Sequence, residues 1–317
     1  MSKSPRQAAR RATRSSRSPS SKATAAGSPM DRATLDKLYN NRAAVPTHPQ
    51  DIARWATESA RARAELPHHA DLAYGPHPRE ILDLFGLAAP GRPLLVFIHG
   101  GYWQAMSKGD ASQIANGFVC DGLANVALLN YPIGPEARMD QIVASIRRGI
   151  LWLWQHAAEY GFDRDRIYVS GHSAGGHLAV MALLTDWPAL DKAAPADLIK
   201  GVLSISGLYD LQPIRQCYLN DKLGMDEAEA ARNSPQAILP TNTASMPRLV
   251  CAVGGAETPA FLQQQHDFVT GWSSHGGHVT AITVPDRHHF DIVDQMARPG
   301  AILQTVMADM LRQGETS

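Results

Sequence analysis

The sequence has no excess charge of either sign, few cysteines and no long apolar run, and each shortage removes a class of explanation. Thirty Lys and Arg are matched by thirty Asp and Glu over 317 residues. No global field therefore draws the chain to nucleic acid or to an anionic membrane. The three cysteines, Cys120, Cys217 and Cys251, are odd in number and far apart. They make neither a disulfide framework nor a CxxC metal motif, which fits a reducing, cytoplasmic setting. Cys120 and Cys251 are expected to act as small core hydrophobes. No stretch approaches the ~20 apolar residues of a membrane-spanning helix. Neither H-E-x-x-H nor a P-loop occurs, and "VGGAE" at 253–257 lacks the G-x-G-x-x-G spacing. No metal and no cofactor is expected, and the expected partner is a small-molecule substrate.

The charge balance hides one asymmetry. Residues 1–30 hold seven Lys or Arg and no acid, so the remainder carries 23 basic against 30 acidic residues. The opening stretch is rich in Arg, Ser and Ala and lacks the apolar core of a secretory signal. A disordered basic tail over 1–29, with Met30 as an alternative start, fits this composition better than a transit peptide.

From Met30 the chain shows regular periodicity. "MDRATLDKLYNNRAAV" and "THPQDIARWATESARARAEL" read as two helices forming an N-terminal arm over about 30–66, the second starting at Thr47 or Asp51. "ADLAYG" and "REILDLF" are short strand candidates. "RPLLVFIHGG", "NVALLNY", "RIYVS", "IKGVLSISGLYDL", "PRLVCAVGGAE" and "HVTAITVPDRHH" are apolar runs bounded by turn residues, as in strands buried on both faces. Helical stretches separate them, among them about Lys108 to Cys120, 139–160, and a final helix from about Asp291 to Arg312. This alternation predicts an α/β fold with a mainly parallel sheet covered on both faces. Residues 211–246 form a long excursion of turn formers and short helical fragments, as binding loops or lids do.

The most informative corner is Gly171-His172-Ser173-Ala174-Gly175, where a strand stops and a helix begins. It matches G-x-S-x-G in the context that motif requires, a sharp turn lifting a serine hydroxyl to the carboxyl edge of a sheet. A glycine corner with a capping serine is the plainer reading. A second segment decides between them. His99-Gly100-Gly101-Tyr102-Trp103 follows an earlier strand and resembles the HGGG-type loop that supplies oxyanion-binding amides. The donors would be the amides of Gly100 or Gly101 together with that of Ala174, each worth roughly 3–4 kcal/mol in the transition state. The two segments in this order point to a serine hydrolase.

A serine nucleophile needs a base and an acid, in the chain order serine, acid, histidine. "DRHHF" lies between the last strand and the last helix, so His289, ahead of His288, is the candidate base. His266, His275 and His278 sit in helical or strand-flanking positions that offer no such role. Two acids are open, Glu257 after the strand "RLVCAVGG" and Asp210 in "GLYDL", with position favouring Glu257. His99, His172 and His177 surround the serine turn, but their spacing is not that of metal ligands. Hydrogen bonding near the oxyanion loop and the helix start is expected of them.

Assembled, these segments resemble the kynurenine formamidase (arylformamidase) group of α/β-hydrolases, relatives of the hormone-sensitive-lipase-like esterases. The resemblance is carried by "HGGYW", "GHSAGGH", "SGLYDLQPI", "HHFDIV" and "LDKLYNNRAAVPTHP" and runs from about Met30 to the last helix. It implies the α/β-hydrolase fold with an eight-stranded core, no cofactor, and a triad carried by Ser173, Glu257 and His289. Many members carry Asp where Glu257 stands. By analogy it also implies a homodimer. Tyr102, Trp103 and Tyr209 are candidate substrate-binding residues, an aromatic wall suited to an aryl amide or aryl ester. The expected activity is removal of a small acyl group, formyl in this family, from an aryl amide, with small-ester hydrolysis as the alternative.

Overall fold

The apolar runs become one sheet. The computed structural model describes residues 30–86 and 90–313; the basic tail expected over 1–29 lies outside the described residues. Eight strands are described: β1 (His68–Ala73), β2 (Ile81–Phe85), β3 (Arg92–Ile98), β4 (Asn125–Leu129), β5 (Phe162–His172), β6 (Ile199–Ile205), β7 (Arg248–Gly254) and β8 (Val279–Val284). Their order across the sheet is β1-β2-β4-β3-β5-β6-β7-β8. The pairs β1/β2 and β2/β4 are antiparallel, and every pair from β4/β3 to β7/β8 is parallel. This is the mainly parallel sheet that the alternation predicts, with the eight strands that the resemblance to the α/β-hydrolases implies.

The continuous apolar runs follow from burial on both faces. Leu94, Val96 and Ile98 of β3 enter one core, whereas Leu95 and Phe97 enter the other. A strand with a wet face would have alternated polar and apolar residues instead. Helices close the two sides: α1 (Arg32–Leu38), α2 (His48–Glu65), α3 (Met139–Tyr160), α4 (Ala174–Leu183), α5 (Pro259–Ser274) and α6 (Ile302–Gln313). In α3, Ile142, Ile146, Ile150, Leu153 and Ala157 are buried, the one-faced spacing of an amphipathic helix. All ten residues of α4 are buried. Each fully buried Leu, Val or Met side chain there contributes about 1.5–3 kcal/mol, so the helix behind Ser173 is anchored along its whole length.

Four sequence expectations change. The single final helix is broken, because Arg298 precedes Pro299 and is extended (φ −100°, ψ 118°), leaving short turns over 291–297 and then α6. The stretch after the oxyanion loop is a 3-10 helix, Lys108–Gly117. Cys120 is exposed beyond it, while Cys217 and Cys251 are the buried thiols. In the arm, the first helix stops at Tyr39, and the Asn40 side chain caps a separate turn at Asn41–Ala44.

Candidate active site

β5 delivers the chain to Ser173 and α4 carries it away at once. The turn between them forces Ser173 to φ 57°, ψ −118°, a region that costs a non-glycine residue about 1–3 kcal/mol and persists only when its surroundings impose it. Here they do. The Ser173 amide donates to the Ile205 carbonyl of β6 (2.8 Å), and Gly175 passes so near β3 that a Cβ would lie 1.9 Å from the Ile98 oxygen. A glycine at 175 is thus a condition of the turn.

The loops after β7 and β8 bring the partners. His289 Nε2 lies 3.0 Å from Ser173 Oγ, and His289 Nδ1 lies 2.7 Å from Glu257 Oε2. A carboxylate only accepts hydrogen bonds, so Nδ1 carries the proton and Nε2 offers its lone pair to the serine hydroxyl. Glu257 Oε1 accepts from the Gly254 amide (2.8 Å) and from the Ser206 hydroxyl (2.5 Å). Ser173, His289 and Glu257 are 2%, 5% and 8% exposed, which keeps bulk water from competing for these bonds. The Phe261 ring packs 4.5 Å from the His289 ring and holds it from one side.

The other candidates fall elsewhere. His288 Nδ1 accepts the amides of Phe290 and Asp291 and faces Asp51, away from the serine. Asp210 accepts the Gln212 amide (2.9 Å) and so orders the turn that opens the excursion. His266 and His278 are exposed, and His275 Nδ1 donates to the Gly271 carbonyl at the end of α5.

The oxyanion loop is shaped by backbone as much as by side chains. Gly101 has φ 104°, and a Cβ there would lie 2.3 Å from the Ala105 oxygen. Tyr102 and Trp103 also have positive φ, 49° and 57°. A Cβ on Gly100 would sit 3.3 Å from Ser173 Cβ, which places the loop beside the hydroxyl. Among the described residues the amides of Gly100, Gly101 and Ala174 have no hydrogen-bond acceptor within the chain. The Ala174 amide also lies at the positive end of α4, where negative charge is favoured.

The aromatic wall is placed differently from the expectation. Trp103 and Tyr209 have no exposed surface, so neither ring can face a substrate in this conformation. Tyr209 stacks on Phe268 with ring centres 4.2 Å apart and shares a hydrogen bond with Ser204. Trp103 donates its indole N–H to His177 Nδ1 (3.2 Å), and His177 Nε2 in turn donates to the Asn233 carbonyl (2.7 Å), tying the loop to the excursion. Only Tyr102 keeps partial exposure. Its hydroxyl donates to the Tyr39 carbonyl (2.7 Å) and accepts from Asn41 Nδ2 (3.1 Å), so the N-terminal arm reaches this loop.

Three buried imidazoles lie on the strand end, turn and helix that build the site, and His172 packs 4.7 Å from the His289 ring. Burial pushes His99 and His177 down to about 4 and His172 well below its ordinary value. For His177 the geometry agrees, since a second ring proton would meet the Trp103 N–H head-on. No group of three or more potential metal ligands occurs among the described residues. Sequence reasoning assigned Ser206 no role, whereas the hydrogen bonding expected of His177 near the oxyanion loop is present, with Trp103 and Asn233 as its partners. Ser206 opens "SGLYDLQPI", one of the stretches that carry the resemblance, but its left-handed φ leaves no compositional trace.

With this geometry in view, the likeness to known proteins is specific. The BD-FAE family model matches residues 86–255. Kynurenine formamidase of Danio rerio is 34% identical over 255 residues, spanning 79% of this chain and 84% of its own. That of Salmo salar is 36% identical over 245 residues, spanning 76% and 80%. A solved structure from Silicibacter sp. TM1040, provisionally described as a thioesterase, has 32% identity and a TM-score of 0.75, covering 86% of this chain and 98% of that one. Esterase B of Lactobacillus rhamnosis, at 17% identity and TM-score 0.67 over 87% and 97%, shares the fold. The chain belongs to the BD-FAE family of α/β-hydrolases, in the group formed by the kynurenine formamidases and their esterase relatives.

Proposed function

We propose that the chain hydrolyses an N-formyl aryl amide of the formylkynurenine kind by way of a formyl-serine intermediate. The observation that carries this reading is the buried relay of Ser173 Oγ, His289 and Glu257 beside the amides of Gly100, Gly101 and Ala174, which no acceptor of the chain engages. In the first step Ser173 Oγ attacks the formyl carbon while His289 Nε2 takes its proton. The carbonyl oxygen becomes an oxyanion facing the amides of Gly101 and Ala174. Glu257 Oε2 keeps Nδ1–H in place and stabilises the imidazolium. His289 then gives its proton to the departing arylamine as the C–N bond breaks. A water, deprotonated by His289, attacks the formyl-serine and releases formate with the serine restored. This cycle uses no metal or cofactor, and we place it in the cytoplasm.

Identity of 34–36% to two curated kynurenine formamidases supports the formyl amide. The Silicibacter structure supports a second reading, hydrolysis of a small ester or thioester by the same groups. The deciding measurement is kcat/KM for N-formyl-L-kynurenine beside p-nitrophenyl acetate on the purified chain. A preference for the formyl amide by orders of magnitude is expected. Turnover of the ester alone would leave the mechanism standing and replace the substrate.

A further inference from the structure

Two consecutive residues at the tip of β6 hold two different parts of the site. The Ile205 carbonyl accepts the amide of Ser173 (2.8 Å), and the Ser206 hydroxyl donates to Glu257 Oε1 (2.5 Å). Glutamate has one more rotatable bond than aspartate, so a carboxylate held by His289 alone would have several rotamers open to it. The Ser206 hydroxyl and the Gly254 amide both bind Oε1, which leaves Oε2 for His289 Nδ1. A division of the two oxygens in this way selects one rotamer.

The backbone under Ser206 sharpens the point. Ser206 has φ 50° and is 1% exposed. Glycine would adopt that φ without strain, whereas serine pays about 1–3 kcal/mol for it. The residue present is therefore the strained one, and its hydroxyl is spent on the carboxylate.

We propose that Ser206 is a positioning residue for the reaction, its hydroxyl fixing the Glu257 rotamer that orients His289. The inference rests on the reading of Ser173, His289 and Glu257 as a catalytic relay and is independent of which acyl group is cleaved. It also accounts for how a glutamate serves at this position, since Oε1 has a dedicated pair of donors.

Two substitutions separate the hydroxyl from the backbone. Ser206→Ala and Ser206→Gly both remove the donor, but only glycine relieves the positive φ. Both are expected to lower kcat by about tenfold to a hundredfold, the worth of a hydrogen bond to a charged group. KM should stay within about twofold, because ground-state binding is untouched. The Tm of the glycine variant should equal or exceed that of the alanine variant. In a Glu257→Gln background, Ser206→Ala should cause no further loss of kcat, since it acts through the carboxylate. Full activity in Ser206→Gly, or an undiminished loss on top of Glu257→Gln, would show a merely structural serine and overturn the proposal. So would a wild-type rate in Ser206→Ala with Glu257→Gln inactive. Wild-type turnover in Glu257→Gln itself would instead remove the relay on which the inference stands. Both p-nitrophenyl acetate and N-formyl-L-kynurenine serve as probes, so an unexpected substrate preference does not obscure the result.

Discussion

Two of the molecule's polar clusters, each centred on buried groups, are built on opposite plans. One joins α2, β1, β2 and the start of the 3-10 helix. Lys108 Nζ lies 2.7 Å from both Asp83 Oδ1 and Asp71 Oδ1, and Arg63 pairs with the other oxygen of Asp83. Two cations face two carboxylates there. Burial alone would raise the Asp83 carboxyl, but hydrogen bonds from Lys108, the Asp71 amide and Arg63 outweigh it and hold the group below its ordinary value. The other cluster is the serine site. Its one carboxylate receives a hydroxyl, an amide and an imidazole, and the nearby imidazoles are kept neutral. The first cluster has cancelled its charges and has none left to develop. In the second, a carboxylate is held ready and positive charge appears only when His289 takes a proton. Burial of polar groups does not by itself mark an active site; unspent donors and an uncharged acceptor do.

The sharpest way to break this contrast is Ser173→Ala. We expect kcat to fall by several orders of magnitude, roughly 10⁶ where an equivalent serine has been removed, with an unchanged circular dichroism spectrum. A variant retaining a tenth of the activity would mean that the relay is not the reactive centre. Lys108→Met in the ionic cluster should act in the opposite sense. It leaves Asp83 buried beside one cation, at a cost of about 3–5 kcal/mol in stability. Thermal unfolding should show that loss, while kcat of the folded protein stays within about twofold of the wild type. A normal Tm with reduced kcat would erase the distinction.

The clusters should also separate along the pH axis. His99 and His177 titrate at about 4 in the folded chain and near 6.5 when unfolded, so the unfolded state binds more protons between those values. Stability from these groups is complete above pH 6.5 and is lost as pH falls towards 4, at roughly 3 kcal/mol each. Asp83 is depressed from 3.8, so its contribution persists until pH falls below that value. Urea unfolding at pH 7, 5.5 and 4.5 reads the histidine part alone. His177→Gln, which keeps one donor and one acceptor, should reduce the loss between pH 7 and 4.5 by about 2–3 kcal/mol. An identical loss in variant and wild type would remove His177 from the set. The smallest effect is expected of Asp210→Asn. It should leave kcat within about threefold and cost at most about 1 kcal/mol of stability, as a turn-capping carboxylate does. A fall as large as that of Ser173→Ala would return Asp210 to the reaction.

How much of this was legible in sequence depended on whether the cause was local. Doubly buried strands must be apolar throughout, so β3 to β7 were visible as runs. The Gly171 to Gly175 corner and the His99-Gly100-Gly101 loop were visible because close approach and positive φ demand particular residues. Glu257 and His289 stood out by their places after β7 and β8, although each lies far from Ser173 in the chain. What sequence hid was set by distance. Tyr209 and Trp103 looked like a wall because aromatic residues flank many sites, yet Phe268 and His177 claim them from remote helices. Cys120 resembled a core residue until the turn after Gly117 carried it outward. Pro299, by contrast, was in plain view, and a helix drawn through it ignored a constraint that proline imposes on its predecessor.

The tip of β6 has one more consequence. Ser204 Oγ donates to the Gly176 carbonyl of α4 (3.0 Å), Ile205 holds the Ser173 amide, and Ser206 holds Glu257. Three neighbouring residues thus grip two segments, the turn into α4 and the loop after β7, and alternate side chains of a strand point to opposite faces. A slip of β6 by a single residue would exchange those faces and release all three grips together. A chain with β6 misaligned in this way is expected to be inactive. For this protein, turnover doubles as a register check, and recovered activity after refolding counts correctly threaded sheets.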